Sequence, residues 1–341
     1  MSAGPEAAPV RVLQSFPDPR PTTNPYLVML RRSLDALPAV DLHTFTWRRA
    51  LLGRYDVFHV HWPETLLAAR TPARVARRRA LVALLLLRLR LTRTAVVRTV
   101  HNLRPHEGVP HVDALLLGLL ERQARVLIRL NDETPVPAGT RALTAQHGHY
   151  RDWYADYEVP ERVPGRVAFV GLVRPYKNVD GLVAAFRETA DAAPGASLHV
   201  AGSAASDTLA EQLRAAAGDD PRISLTLQFL EDADLVDAVG RAELVALPYR
   251  EMHNSGAALL ALSLGRPVLL PRNATNARLA EEVGPEWVHL FDGVLTAEML
   301  LDALTASGRI RPGDRPDLSA REWDLTGAHH LDAYRLARSV G

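Results

Sequence analysis

The chain has 341 residues, with 40 Lys+Arg against 39 Asp+Glu, 13 His, 24 Pro and no cysteine. A composition 47% hydrophobic and 23% charged is that of a globular protein with the length of about two domains. The lack of cysteine excludes disulfide scaffolds, thiol nucleophiles, cysteine-ligated zinc and iron–sulfur clusters, and a net charge of +1 excludes bulk electrostatic binding to nucleic acid.

Taken in chain order, β-rich runs at Val10–Phe16, Ala39–Phe45, Val57–His61, Ala95–Val100 and Val126–Leu130 predict strands, with helices near 25–37, 64–90 and 112–124. A proline-rich joint, Val159 to Gly165, then interrupts helix and strand alike and marks a domain boundary. The charge changes sign there: residues 1–160 hold 22 basic and 14 acidic side chains, and residues 161–341 hold 18 and 25. Beyond the joint, strands are predicted at Val167–Val170, Ser197–Val200, Ile223–Phe229, Leu244–Leu247, Pro267–Leu270 and Trp287–Phe291. Helical stretches near 179–190, 206–217, 232–242, 255–264, 275–283 and 296–306 alternate with them. This alternation predicts an α/β chain of two doubly wound, Rossmann-like domains, 1–160 and 161–315, facing a cleft at the carboxyl ends of two parallel sheets. No apolar run reaches the ~20 residues of a membrane span. Met1 to Val10 lacks the pattern of a signal peptide, so a cytoplasmic protein is expected.

Residues that follow strands are the ones to inspect. Gly171-Leu172-Val173-Arg174-Pro175-Tyr176-Lys177-Asn178 leaves a strand and opens a helix. A glycine turn, helix amides and two cations suit an anion. Lys177 is the only lysine of the chain. The arginine excess reads as codon bias of a GC-rich genome, and a lysine kept against it suggests a phosphate oxygen in a narrow place. Tyr249-Arg250-Glu251-Met252-His253-Asn254-Ser255-Gly256 again joins strand to helix, with Asn254 or Ser255 as cap and Gly256 open to close approach. In the first half, His101, Asn102 and Glu107 share one loop, where general-base and hydroxyl-binding roles are both chemically open. His61 and Glu64 close another strand, while His59 reads as a buried, satisfied histidine.

Two further features carry competing readings. Nine arginines between Arg70 and Arg98 surround the apolar run Ala80–Leu87, which suits either an anionic membrane surface or a core helix with a solvated basic face. Asp232-Ala233-Asp234 matches a metal-binding pattern but opens a helix, where acidic residues are favoured anyway. No metal site or cofactor is assigned.

Together these loops resemble the GT-B fold glycosyltransferases, two-domain enzymes that use a nucleotide-sugar donor. The chain is most similar to bacterial members related to the retaining sucrose-synthase and mannosyltransferase type. Gly171 and Lys177 keep the spacing of that family's Gly-Arg-Leu-x-x-x-Lys motif, with the arginine moved to Arg174. Leu259 to Val268 resembles its Leu-Glu-Ala-Met-Ala-x-Gly-x-Pro-Val stretch. The family's paired glutamates would fall at Met252 and Leu260, and neither is acidic, although Glu251 precedes the first. The Asn254-Ser255-Gly256 turn and the His101 loop are similar to exopolysaccharide transferases, including GDP-mannose:glycolipid β-mannosyltransferases.

The resemblance implies a metal-independent transfer of a hexosyl group from a GDP- or UDP-sugar to a glycolipid, polysaccharide or small-molecule hydroxyl. It places the donor on Gly171, Arg174, Lys177, Glu251, Asn254, Ser255 and Gly256 of the second domain. The acceptor falls to the first domain, where His61 and Asn102 bind sugar and His101, Glu107 or Glu64 lies nearest the chemistry. It also implies that residues 316–341 cross back to the first domain, and a lipid-linked acceptor would suit the membrane reading of the 70–98 segment, on the inner face, beside the core-helix reading. An inverting reaction needs a carboxylate base, Glu107 or Glu64, whereas in a retaining one His101 holds a donor-sugar hydroxyl. A nucleotide-sugar epimerase of the same fold and a catalytically silent partner protein are the alternatives. A dinucleotide oxidoreductase is disfavoured, because neither half carries Gly-x-Gly-x-x-Gly after its first strand.

Overall fold

The computed structural model describes residues 8–101 and 110–340. Described residues up to Gly148, together with those from Ala320, form one compact unit, and His149–Ser319 form the other. In the first unit, β1 (Val10–Gln14), α1 (Pro25–Asp35), β2 (Val40–His43), α2 (Trp47–Leu52), β3 (Val57–Val60), α3 (Pro72–Leu91), β4 (Ala95–Val100), α4 (His111–Gln123), β5 (Ala124–Arg129) and β6 (Arg141–Thr144) follow in order. The strands make one parallel sheet, β2-β1-β3-β4-β5-β6. The order reverses between β1 and β3, so the switch point lies at the ends of those two strands. Every residue of β3 is buried, as expected of a central parallel strand covered on both faces.

The second unit runs β7 (Arg166–Val170), α5 (Val179–Arg187), β8 (Ser197–Ala201), α6 (Asp207–Ala217), β9 (Ile223–Thr226), α7 (Asp232–Gly240), β10 (Leu244–Ala246), α8 (Gly256–Ser263), β11 (Val268–Pro271), α9 (Ala274–Val283), β12 (Val288–Phe291) and α10 (Ala297–Ser307). Its parallel sheet is ordered β12-β11-β10-β7-β8-β9, with the switch point between β7 and β10. Asp232 and Asp234 stand in the first turn of α7, and Asp232 accepts a hydrogen bond from the Trp153 indole at 2.9 Å. Arg266 ties the segment before β7 to this unit, donating to the carbonyls of Gly240 (2.8 Å) and Pro160 (3.0 Å).

The final helix, α11 (Trp323–Ser339), packs on α1 and on β4 to β6 of the first unit. Asn24 caps α1 through the Tyr26 amide, with Pro25 pre-set in the first turn. Ser33 on that helix donates to the Trp323 carbonyl at 2.5 Å.

Three local departures from the expected elements have clear causes. The single helix expected over 64–90 is a 3₁₀ turn, Pro63–Leu66, followed by α3 from Pro72. Proline lacks the amide to continue a helix and pushes Thr71 into the extended region (φ −122°, ψ 147°). The unexpected α2 is six residues long and held by Thr46, which accepts from the Arg49 amide. The four-residue β6 is an edge strand too short to show alternation.

The α1–α11 seam is close enough to test. A Cβ on Gly327 would collide with the Ser33 hydroxyl and approach its backbone. Gly327→Ala is expected to lower stability by roughly 1–3 kcal/mol through overpacking, read as a lower midpoint in urea unfolding.

Candidate active site

In the second unit the loops after β7 and β10 flank the switch point, where open α/β sheets hold ligands. Gly171 leaves β7 at φ +102°, a conformation that favours glycine, and Lys177 Nζ lies against the turn, 3.5 Å from where a Cβ would stand. A 3₁₀ turn, Pro175–Lys177, then ends at Asn178 in the left-handed region (φ 53°) and hands the chain to α5.

Lys177 is buried, only 9% exposed. Its Nζ sits 5.1 Å from the centre of the Tyr249 ring and 5.8 Å from that of Phe169. No carboxylate among the described residues pairs with it. Burial lowers its pKa to about 8, and Arg174 pushes in the same direction. The aromatic faces give a cation–π partner that recovers part of the lost hydration. A cation in this state gains most from an anionic ligand.

The second loop is tied to the first. The Arg250 amide donates to the Tyr176 carbonyl at 2.8 Å, and its guanidinium donates to Asn178 Oδ1 at 2.9 Å. Burial raises the pKa of the Tyr249 hydroxyl, and the Ser255 side chain offsets part of that rise. Ser255 in turn caps α8 by accepting from the Ala258 amide at 3.2 Å. Gly256 opens that helix, and a Cβ on it would meet the Tyr150 hydroxyl at 3.2 Å. Asn254 lies on the same turn, and Glu251 is exposed beside it. Leu260 is buried inside α8, and the Met252 sulfur accepts a hydrogen bond from Asn276 at 3.4 Å.

In the first unit, Gln14, His59, His61 and His101 stand at the carboxyl ends of β1, β3 and β4 and form a buried chain with Thr99 and Tyr334. His59 bonds the Tyr334 hydroxyl (2.8 Å) and Thr99 (2.8 Å). Gln14 donates to that same hydroxyl at 3.1 Å, while its carbonyl oxygen meets His61 Nε2 at 3.0 Å. His61 Nδ1 meets His101 Nε2 at 3.1 Å. With the Gln14 carbonyl on that side, His61 carries its proton on Nε2 and accepts from His101 through Nδ1. The Trp62 indole stacks on His101 at 3.8 Å and 16°.

Burial first, and then neighbouring imidazoles, hold His59, His61 and His101 well below the ordinary histidine value. His147 and His330 are lowered to about 4, chiefly by burial. Among the described residues no group of three His, Asp or Glu is arranged to hold a metal ion. Glu64 is exposed in the 3₁₀ turn that follows His61. Asn102 and Glu107 lie outside the described residues. Gln14 carried no assignment from the sequence, and a polar network joining it to Thr99 and Tyr334 was not expected there. Only the polar glutamine inside the apolar run Val10–Phe16 hinted at a buried network.

Two doubly wound units, each with a parallel six-stranded sheet and loops at its switch point, have the architecture of the GT-B glycosyltransferases. The fold is shared by AviGT4, a glycosyltransferase involved in avilamycin A biosynthesis, at TM-score 0.59, with 15% identity, 98% of this chain and 99% of that one covered. Sucrose-phosphate synthase from Thermosynechococcus elongatus has it too, at TM-score 0.57, with 14% identity, 96% of this chain and 94% of that one covered. The family model "Glycosyl transferases group 1" matches residues 164–303. The GDP-mannose:glycolipid 4-beta-D-mannosyltransferase of Xanthomonas campestris pv. campestris is 46% identical over 334 residues, which cover 96% of this chain and 93% of that protein. This chain therefore belongs to the mannosyltransferase family of that enzyme. It is a glycosyltransferase that moves a hexosyl group from a nucleotide-sugar donor to a hydroxyl acceptor.

The neutral histidines have a consequence for stability. Below pH 6.5 the unfolded chain binds protons that the native network refuses, so stability is present above that pH and is lost as pH falls through it. Each such histidine contributes up to about 1.4 kcal/mol per pH unit. The urea-unfolding free energy is expected to drop by several kcal/mol between pH 6.5 and 5, and a flat dependence would contradict the buried neutral network.

Proposed function

We propose that this glycosyltransferase transfers mannose from GDP-mannose to a hydroxyl of a glycolipid on the cytoplasmic face of the membrane, within exopolysaccharide biosynthesis. The observation that carries the reading is the buried Lys177 at the β7/β10 switch point, with no carboxylate partner among the described residues, and the 46%-identical mannosyltransferase supports the choice of donor and acceptor. The unit with Lys177 holds the donor. Lys177 and Arg174 face the diphosphate, the amides of Asn254, Ser255 and Gly256 add the positive end of α8, and Gly171 leaves room for the phosphate. These groups stabilise the charge that develops on the leaving GDP. Glu251 is offered to the donor's ribose.

The unit with the histidines holds the acceptor. GDP-mannose carries its mannose in α linkage, so a β-mannoside requires inversion and a base for the attacking hydroxyl. A neutral imidazole with a strongly lowered pKa is a weak base and a good hydrogen-bond partner. His101 therefore orients a hydroxyl group, backed by His61, whose two ring nitrogens are held by Gln14 and His101; Asn102 assists, and the proton goes to a carboxylate, Glu64 or Glu107.

Membrane contact falls to α3 and α4. Leu84, Leu87 and Leu91 on α3 and Val112, Leu115 and Leu119 on α4 are exposed, and the two helices pack on each other. Exposed Arg74, Arg77, Arg90 and Arg93 surround the leucines of α3. Apolar side chains at helical spacing with arginines beside them fit an anionic lipid surface, while no helix among the described residues is long and apolar enough to cross a membrane.

Lys177→Ala is expected to weaken GDP binding in calorimetry roughly tenfold to a hundredfold, the worth of a charge-assisted hydrogen bond, and to abolish mannosyl transfer. Unchanged affinity would remove the diphosphate assignment. In the wild type, GDP affinity should be level below pH 7 and fall as pH rises through about 8, where the free ammonium loses its proton; Lys177→Arg should remove that fall. A Leu84→Ser, Leu87→Ser pair should cut flotation with phosphatidylglycerol vesicles while leaving GDP affinity unchanged.

A further inference from the structure

One opening in the first unit takes no part in the roles assigned above. A cavity of about 450 Å³ lies among Ser15, Phe45, Thr46, Trp47, Thr65 and Arg78. Its walls come from the residues after β1 and β2, from the 3₁₀ turn after β3 and from the first half of α3. It therefore lies beyond the carboxyl ends of the strands around the β1/β3 switch point, where sheets of this kind hold ligands. It adjoins the histidine network without sharing its members: Ser15 Oγ accepts from the His61 amide at 3.1 Å, and the Phe16 ring lies 5.4 Å from that of His61.

The lining is chemically mixed in a particular way. Phe45 and Trp47 meet edge to face, with ring centres 5.0 Å apart at 82°. The Arg78 guanidinium lies over the Trp47 ring, 5.4 Å from its centre. Among the described residues no carboxylate pairs with Arg78, so the aromatic face positions a planar fork of N–H donors that has no protein acceptor. Hydroxyls complete the rim. Thr46 accepts from the Arg49 amide at 3.1 Å, and Thr65 donates to the Trp62 carbonyl at 2.7 Å, which leaves the first a donor and the second an acceptor for a ligand. A pyranoside ring matches such a site, because its C–H face stacks on an indole while its edge presents hydroxyls to threonines and a guanidinium. A wholly apolar occupant would leave the Arg78 donors unmatched.

We propose that this cavity is the acceptor-sugar subsite, in which a pyranoside ring of the glycolipid stacks on Trp47 and is hydrogen-bonded by Arg78. The inference rests on the reading that the first unit holds the acceptor. Helix α3 links the subsite to the leucine face: at about 1.5 Å rise per residue, Leu84 and Leu87 stand roughly 9 and 14 Å along the axis from Arg78. One helix thus offers a sugar contact near its start and a lipid contact further on.

Saturation-transfer NMR on the full chain, with methyl β-D-glucopyranoside and methyl β-D-mannopyranoside as probes, tests the assignment, with GDP calorimetry on the same samples. The wild type should give saturation transfer to at least one pyranoside. Trp47→Ala and Arg78→Ala should each reduce it at least fivefold, Trp47→Phe should restore part of it, and GDP affinity should stay within twofold in all three. Pyranoside signals unchanged in both alanine variants, or absent from the wild type, overturn the subsite. Should Trp47→Ala also lose GDP binding through misfolding, Arg78→Gln decides alone, and full pyranoside binding in it overturns the proposal. Pyranoside binding at Trp47 in a wild type that binds no GDP would instead overturn the donor reading and leave the subsite standing.

Discussion

An ammonium group taken out of water must be compensated, and in the second unit the aromatic partners of Lys177 are only part of that compensation. The ring of Tyr249 and that of Phe169 supply a favourable field, yet the pKa still falls to about 8. The geometry around the lysine follows from keeping it there. Gly171 holds a positive φ of +102°, Asn178 turns through the left-handed region, and Arg250 latches the second loop to the first through Asn178. Further along the second loop, Ser255 caps α8. A dianionic diphosphate, the ligand proposed for this site, would relieve the desolvation that the protein leaves standing.

The first unit solves the opposite problem. Its buried polar groups stay neutral, and their cost is met by pairing them with one another. Gln14, His59, His61 and Tyr334 each bond two partners within the chain that runs from Thr99 to His101. Tyr334 belongs to α11, so the last helix completes the interior of the unit that the chain began with. One unit holds an unmatched charge and the other a matched neutral network.

How much of this the sequence disclosed depended on range. Strands such as Val57–Val60 and Ala95–Val100 were legible because parallel strands covered on both faces are continuous apolar runs. Lys177 was legible because no other lysine competed for notice. The β7 and β10 loops could be found from strand–turn–helix grammar alone, since the ligand position in such sheets is topological. Contacts between distant residues were not legible. Gln14 and Tyr334 are 320 positions apart, and nothing local in either announces the other. The break before α3 was written in Pro72 but masked by the apolar periodicity around it. Trp47 and Arg78 sit on an unexpected helix and on the inner side of an expected one, so the cavity between them had no sequence signature.

The missing family glutamates follow the same electrostatic logic. Position 260 is buried within α8, where a carboxylate would lose its hydration unless a ligand hydroxyl or an amide replaced it. Leucine there removes that requirement and strengthens the helix packing. Position 252 gives its carbonyl to Asn273 and its sulfur to Asn276, so the methionine ties the β10 loop to the start of α9. A glutamate would bring a charge to a place that now serves as a brace. The loop is thus held in shape from two sides, by Arg250 on Asn178 and by Met252 on α9, and its exposed Glu251 is left as the carboxylate free to meet a ligand.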